Sequence, residues 1–279
     1  MNELIKPVVK WVGGKRQLLP EINKRLPKEF TTYYEPFLGG GAVLFDIIPK
    51  TAIVNDYNEE LINMYKVIKN DAEGLLSLLE KHKELNSSDY FYEVRAWDRD
   101  PEYETNLSNL QKAARLIYLN KTCFNGLYRV NSSGFFNTPY GKYKNPNIIN
   151  GESILALHNY FNNANIIFKT GDFEDAIKYN QNDAFVYFDP PYAPLSPTSN
   201  YTGYTAAGFG KEDQIRLRQL CDKLDNHGVK FLLSNSNVEF IQNQYKDYII
   251  DVIGAKRSIN SNGKKRGKVE EVLIRNYEI

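Results

Sequence analysis

An aspartate, two prolines and a tyrosine, Asp189-Pro190-Pro191-Tyr192, close the apolar run Ala184-Phe-Val-Tyr-Phe188. These residue types suit one chemical task, the activation of a conjugated amine. The exocyclic nitrogen of adenine or cytosine shares its lone pair with the ring. It is a poor nucleophile until acceptors on its two N–H groups draw it toward a tetrahedral shape. The Asp189 carboxylate can accept one N–H, and the Pro190 carbonyl, held extended by Pro191 after it, can accept the other. Tyr192 offers a ring face on which a planar base can stack. The plainer reading of the same four residues is a strand end with a capping aspartate and a Pro-Pro turn.

Such a carboxylate has to be held at the lip of a sheet. Val186 to Phe188 suit a strand covered on both faces, and neither proline can donate to a ladder, so the strand stops at Asp189. In open α/β sheets that lip is where ligands bind. Tyr33-Tyr-Glu-Pro-Phe37-Leu-Gly39-Gly-Gly41 ends another strand in a triple glycine, and a helix is predicted from Ala42 to Ile48. Glycines there allow a tight turn and close approach of a ligand to backbone N–H groups. Ala52-Ile-Val-Asn-Asp56 then sets an acid at a strand end, a position from which a carboxylate takes ribose hydroxyls in related folds. The lesser reading of Asp56 is the N-cap of a helix over Asn58 to Lys69, a role that can coexist with the first. Upstream, Lys10-Trp11-Val-Gly-Gly-Lys15 is a loop leading into a helix predicted over Arg16 to Leu26. It is not a phosphate loop, because Val9 stands where the first glycine belongs and Arg16 where Ser or Thr would bind magnesium.

Between Tyr57 and about Asn165 the strand pattern gives way to helical spacing, over Leu61–Ile68, Ala72–His82, Tyr90–Trp97, Leu107–Leu119 and Ser153–Phe161. The simplest account is a Rossmann-like α/β sheet, residues 1–57 and 166–279, with a helical domain, residues 58–165, inserted between its second and third strands. Thr105 to Gly151 contains no Asp or Glu but carries Lys112, Arg115, Lys121, Arg129, Lys142 and Lys144 around the turn-rich Phe124-Asn125-Gly-Leu127-Tyr-Arg129-Val-Asn-Ser-Ser-Gly134. Phosphates would favour such a surface, and Asn125 and Arg129 can read base edges. A second basic loop, Lys256-Arg257 with Lys264-Lys265-Arg266-Gly-Lys268, suits phosphate contact or a solvated charge run.

D-P-P-Y, together with E-P-F-L-G-G-G and N-G-L-Y-R-V-N upstream, resembles the Dam family of S-adenosylmethionine-dependent DNA adenine-N6 methyltransferases, particularly members acting at GATC. The resemblance runs from Lys10 to the last strand. It implies that S-adenosylmethionine is held by Trp11, Lys15, Phe37, Gly39, Gly41, Asp56, Asp172, Phe173 and Asp189, with Asp189-Pro190-Pro191-Tyr192 catalytic. It further implies that double-stranded DNA is met by Lys10, Phe124, Asn125, Leu127, Arg129, Pro139 and Tyr143; Lys264 and Lys265 are added as phosphate contacts. Cytosine N4 as acceptor, or a non-catalytic DNA-binding homologue, are the alternatives.

Composition adds exclusions. The formal charge is +1, so affinity for nucleic acid has to come from local charge. Cys123 and Cys221, with His82, His158 and His227, show no metal-ligand spacing, so neither a metal nor a disulfide framework is expected. No signal-peptide core or membrane-length apolar run is present, so a cytoplasmic protein without membrane contact is expected. It is expected to act as a monomer that could pair functionally with a restriction endonuclease.

Overall fold

The computed structural model describes residues 4–178, 183–195, 208–256 and 268–279. In chain order the elements are α1 (Leu19–Asn23), β1 (Thr32–Glu35), α2 (Ala42–Ile47), β2 (Thr51–Asp56), α3 (Glu59–Asn70), α4 (Ala72–Glu84), α5 (Ser88–Ala96), α6 (Tyr103–Asn106), α7 (Asn109–Thr122) and α8 (Gly151–Asn163), followed by β3 (Asn165–Thr170), β4 (Ala184–Phe188), α9 (Lys211–Asn226), β5 (Lys230–Ser236), α10 (Glu239–Gln244), β6 (Ile249–Lys256) and β7 (Lys268–Arg275). The seven strands form one sheet in the order β3-β2-β1-β4-β5-β7-β6. The first five in that order run parallel, and β7 lies antiparallel to both β5 and β6.

The chain leaves β1 toward β2 and β3 on one side and reaches β4 and β5 on the other. The crevice between β1 and β4, paired through Tyr33 with Phe185, is therefore the topological switch point. The Glu35-to-Gly41 segment and the Asp189 loop both leave the carboxyl ends of these two strands. β4 is buried along its whole length. Its residues alternate between two cores, Phe185 and Tyr187 packing on one face, Val186 and Phe188 on the other. Burial contributes roughly 1.5 to 3 kcal/mol for each such side chain, which makes this strand a rigid support for the residues that follow it.

The helices between β2 and β3 do not build a core of their own. Leu61, Tyr65, Leu75, Leu116 and Phe161 join Leu44, Val54 and Tyr187 in one continuous cluster. Two expectations need correction. The first helix starts at Leu19 rather than Arg16, because Pro20 sits in its opening turn and the chain instead turns on the Lys15 carbonyl, which accepts from Leu18 and Leu19. The acid-free run is also less basic outside than its count suggests. Arg115 is 1% exposed and pairs with Asp98 at 2.8 Å and Glu60 at 3.4 Å, and Lys112 is tied to Glu104.

Candidate active site

Asp189 sits one residue past β4, its side chain mostly covered. Its Oδ1 receives Lys15 Nζ at 2.7 Å and Ser234 Oγ at 3.0 Å. Ser234 lies on β5, directly beside β4, and its hydroxyl in turn lies 3.2 Å from Tyr187 OH. One proton order satisfies the chain: Tyr187 donates to Ser234, and Ser234 donates to Asp189. Both donors engage the same oxygen. Among the described residues, Oδ2 and the Pro190 carbonyl receive no hydrogen bond, while the Pro191 carbonyl is taken by Gln214 Nε2 at 2.8 Å. Two acceptors on consecutive residues are thus left for an amine.

The loop is fixed from behind. The Ala193 N–H donates to Asn235 Oδ1 at 3.0 Å, Asn235 donates to Gln214 at 3.1 Å, and Ser236 Oγ donates to the Ala193 carbonyl at 2.6 Å. Tyr192 donates its hydroxyl to Glu271 at 2.8 Å, and the Lys15 ammonium stands 4.6 Å from its ring centroid. Burial raises the Asp189 carboxyl above its ordinary range, and the charge and hydrogen bond of Lys15, then the hydroxyl of Ser234, oppose that rise.

The glycine turn beside it is held by Asp56. Oδ2 accepts the Gly39 N–H at 2.8 Å and Oδ1 the Asn58 N–H at 2.9 Å, and burial pushes this carboxyl up as well. Asp56 is not the cap of α3. That place belongs to Asn58, whose side chain accepts from the Leu61 N–H. Gly39 and Gly41 have φ of 50° and 71°, and a Cβ on Gly41 would stand 2.7 Å from the Phe45 ring, so the turn has no room for a larger residue. Trp11 packs over Gly39 and stacks on Tyr128, with ring centroids 4.7 Å apart. On the other side Phe37 stacks on Phe173 at 5.3 Å, and Asp172 Oδ1 accepts from Arg216 at 2.9 Å. Gly171, which precedes Asp172, donates its N–H to the Asp56 carbonyl at 3.3 Å, and apart from its chain neighbours no atom comes within 4 Å of its Cβ position. An acid at the end of β2, an aromatic pair and a second acid just past β3 are residue types that fit the ribose and adenine of S-adenosylmethionine.

Sequence reasoning missed Ser234, Glu271, Gln214 and Glu35. The polar Ser-Asn-Ser end of β5 was a signal for the first, once β5 is set beside β4. Glu35 is 2% exposed and accepts the Tyr33 hydroxyl at 2.9 Å. Burial first, and the neighbouring charges of Asp189 and Asp56, push its carboxyl well above the usual range, against the hydrogen bond from Tyr33. A raised folded-state pKa makes the folded protein bind the proton more tightly. The stability it adds is present below the unfolded value and lost as pH rises through the folded one. Replacing Glu35 by Gln, which does not titrate, is expected to flatten the decline in thermal melting temperature as pH rises above the ordinary glutamate range. An unchanged slope would mean that Glu35 is ionised in the folded protein.

The predicted DNA-contacting residues from Phe124 to Tyr143 lie on the segment after α7, and Lys10 packs against its turn at Gly126. Asn125 and Gly126 turn with φ of 58° and 65°, and antiparallel bridges join Cys123 to Tyr140 and Val130 to Phe136. Lys10, Phe124, Asn125, Arg129, Pro139 and Tyr143 are exposed and Leu127 half-buried, with the Pro139 carbonyl accepting the Phe124 N–H. Lys264 and Lys265 lie outside the described residues. Among the described residues no helix is long and apolar enough to cross a membrane.

The strand order, the glycine turn at the switch point and the acid-Pro-Pro-Tyr lip next to it define a Rossmann-like methyltransferase. The family model for D12 class N6 adenine-specific DNA methyltransferases matches residues 11–259, and the chain belongs to that family. It is 46% identical over 273 residues to the type II methyltransferase M1.LlaDCHI of Lactococcus lactis subsp. cremoris, covering 98% of this chain and 96% of the relative. It is 43% identical to the type II methyltransferase M.MjaIII of Methanocaldococcus jannaschii, covering 98% and 99%. The DNA adenine methylase of Escherichia coli is 32% identical over 268 residues, 95% of this chain and 93% of that protein. Family membership makes adenine the acceptor, and the cytosine-N4 alternative falls away.

Proposed function

We propose that this enzyme methylates N6 of an adenine flipped out of double-stranded DNA, within GATC, with S-adenosylmethionine held over the glycine turn between Asp56 and Asp172. Bound S-adenosylmethionine supplies a methyl group made electrophilic by its sulfonium. The residues align the acceptor and exclude water. Asp189 Oδ2 and the Pro190 carbonyl accept the two N6 hydrogens, Tyr192 stacks on the base, and Oδ1 stays anchored to Lys15 and Ser234. The observation that carries this reading is the division of labour at Asp189, one oxygen tied to the protein and the other left for substrate. Extrusion of the base costs a few kcal/mol, which contacts from residues 58–165, read as the target-recognition domain, must offset. The GATC assignment rests on the resemblance in N-G-L-Y-R-V-N. The enzyme is read as a monomer, and kinship with proteins named type II methyltransferases supports a functional pairing with a restriction endonuclease.

Sequencing of DNA modified by the purified enzyme is expected to return N6-methyladenine at GATC alone. Modification centred on another sequence would remove GATC while leaving the chemistry intact. Lys15→Met supplies a test of the anchoring role. Without the ammonium the Asp189 carboxyl rises further, so the acid limb of kcat against pH should move to higher pH when both substrates are saturating. A limb that stays in place would mean that Lys15 leaves Asp189 when substrate binds.

A further inference from the structure

The loop that carries Trp11 and the turn that begins the recognition segment are fastened to each other by a residue of neither. Asn120, in the last turn of α7, is 1% exposed. Its Oδ1 accepts the Lys10 N–H at 2.8 Å, and its Nδ2 donates to the Lys10 carbonyl at 2.8 Å and to the Gly126 carbonyl at 3.1 Å. The amide thus uses its acceptor and both donors on two backbone segments 116 residues apart, from Lys10 to Gly126. The fit is close, since a Cβ on Gly126 would stand 2.7 Å from Lys10 Cδ. A second contact runs parallel to the first. Trp11, beside Gly39, stacks on Tyr128 with an interplanar angle of 27°, and Tyr128 donates its hydroxyl to Glu60 at 3.3 Å.

Each end of this bridge meets a different ligand on the reading above. Trp11 covers the glycine turn, while Asn125, Leu127 and Arg129 flank Gly126 and Tyr128 on the segment assigned to DNA. A ligand that orders or shifts Trp11 acts on Tyr128 through the ring stack, and on Gly126 through Lys10 and Asn120. We propose that Asn120 and Tyr128 are positioning residues that couple the cofactor side to the recognition segment, so that S-adenosylmethionine and target DNA strengthen each other's binding. This rests on the assignment of those two ligands to the two sides. Linkage then requires the effect to be reciprocal and equal in both directions.

The measurement is the affinity for a short duplex carrying the methylated sequence, by fluorescence anisotropy, with and without saturating S-adenosylhomocysteine, and the converse affinity by calorimetry. The wild-type protein is expected to show the same factor in both, about tenfold, within the usual range of such couplings. Tyr128→Leu removes the stack and Asn120→Ala the bridge. Each should bring the factor below about threefold, while the affinity for either ligand alone changes less than the factor does. A purely structural role would lower the melting temperature and leave the ratio unchanged. If Asn120→Ala does not fold, Tyr128→Leu decides. An unaltered ratio in that variant, or a wild-type protein that binds both ligands independently, would overturn the coupling alone. Failure of the wild-type protein to bind S-adenosylhomocysteine or duplex would instead strike at the functional reading beneath it.

Discussion

Asp189→Ala is expected to lower turnover by about 10² to 10⁴, the usual consequence of removing a positioned polar group from a reacting centre. The geometry adds a complication and its remedy. Lys15 is itself buried, with a side chain 9% exposed, and Asp189 is its ion-pair partner. Removing the carboxylate alone strands a covered ammonium, and breaking one side of a buried pair can cost as much as about 3 to 5 kcal/mol. Part of any loss of activity could therefore be loss of folded protein. The double variant Lys15→Met/Asp189→Ala removes both charges and should recover most of the melting temperature without recovering turnover. Single-turnover methylation of saturating DNA, with the folded fraction measured in parallel, separates the two effects. Turnover near the wild-type rate in a folded Asp189→Ala protein would sink the amine-activation role.

The sheet was legible in the sequence because its strands carry strong local signals. β4 is an unbroken apolar run stopped by two prolines, Asp56 marks the end of β2, and the glycines from Gly39 mark the turn that follows β1. The loss of strand pattern after Tyr57 marks the run of helices, α3 to α8, that separates β2 from β3 in the chain. What stayed hidden depends on which strands and side chains become neighbours. Ser234 reaches Asp189 across 45 positions, and only the pairing of β4 with β5 brings them together. Asn120 looked like one more polar residue near the end of a helix, and its three hydrogen bonds to Lys10 and Gly126 are invisible until the N-terminal loop is laid against α7. Charge counting failed for a related reason. Composition reports that Arg115 is cationic, but not that it points inward to join Asp98 and Glu60. At Asp56 the lesser reading, a helix cap, fails because Asn58 two residues later takes that place.

Arg129→Ala is expected to relax the choice of the outer base pair of the target while sparing the chemistry. Arg129 is exposed on the segment after the Asn125-Gly126 turn, yet its guanidinium is not loose. Nε donates to Asn137 Oδ1 at 2.6 Å and Nη2 to the Asn137 carbonyl at 3.3 Å, across the antiparallel bridge between Val130 and Phe136. Asn137 thereby fixes the plane of the fork. Each terminal nitrogen keeps a hydrogen not used in those two bonds, which suits bidentate donation to guanine O6 and N7. Holding the fork before DNA arrives reduces the side-chain entropy lost on binding. One such pair discriminates by about 1 to 3 kcal/mol, so the preference for guanine should fall by roughly 5- to 150-fold in the variant. Asn137→Ala should cause a smaller loss in the same direction, because the fork remains but its plane is freed. Lys264→Ala or Lys265→Ala should behave differently, weakening all duplexes alike and flattening the salt dependence of binding. Methylation rates over every single-base variant of GATC distinguish the cases. If Arg129→Ala slows all of them by the same factor, the guanidinium meets only a phosphate, and the guanine is read from elsewhere in the protein.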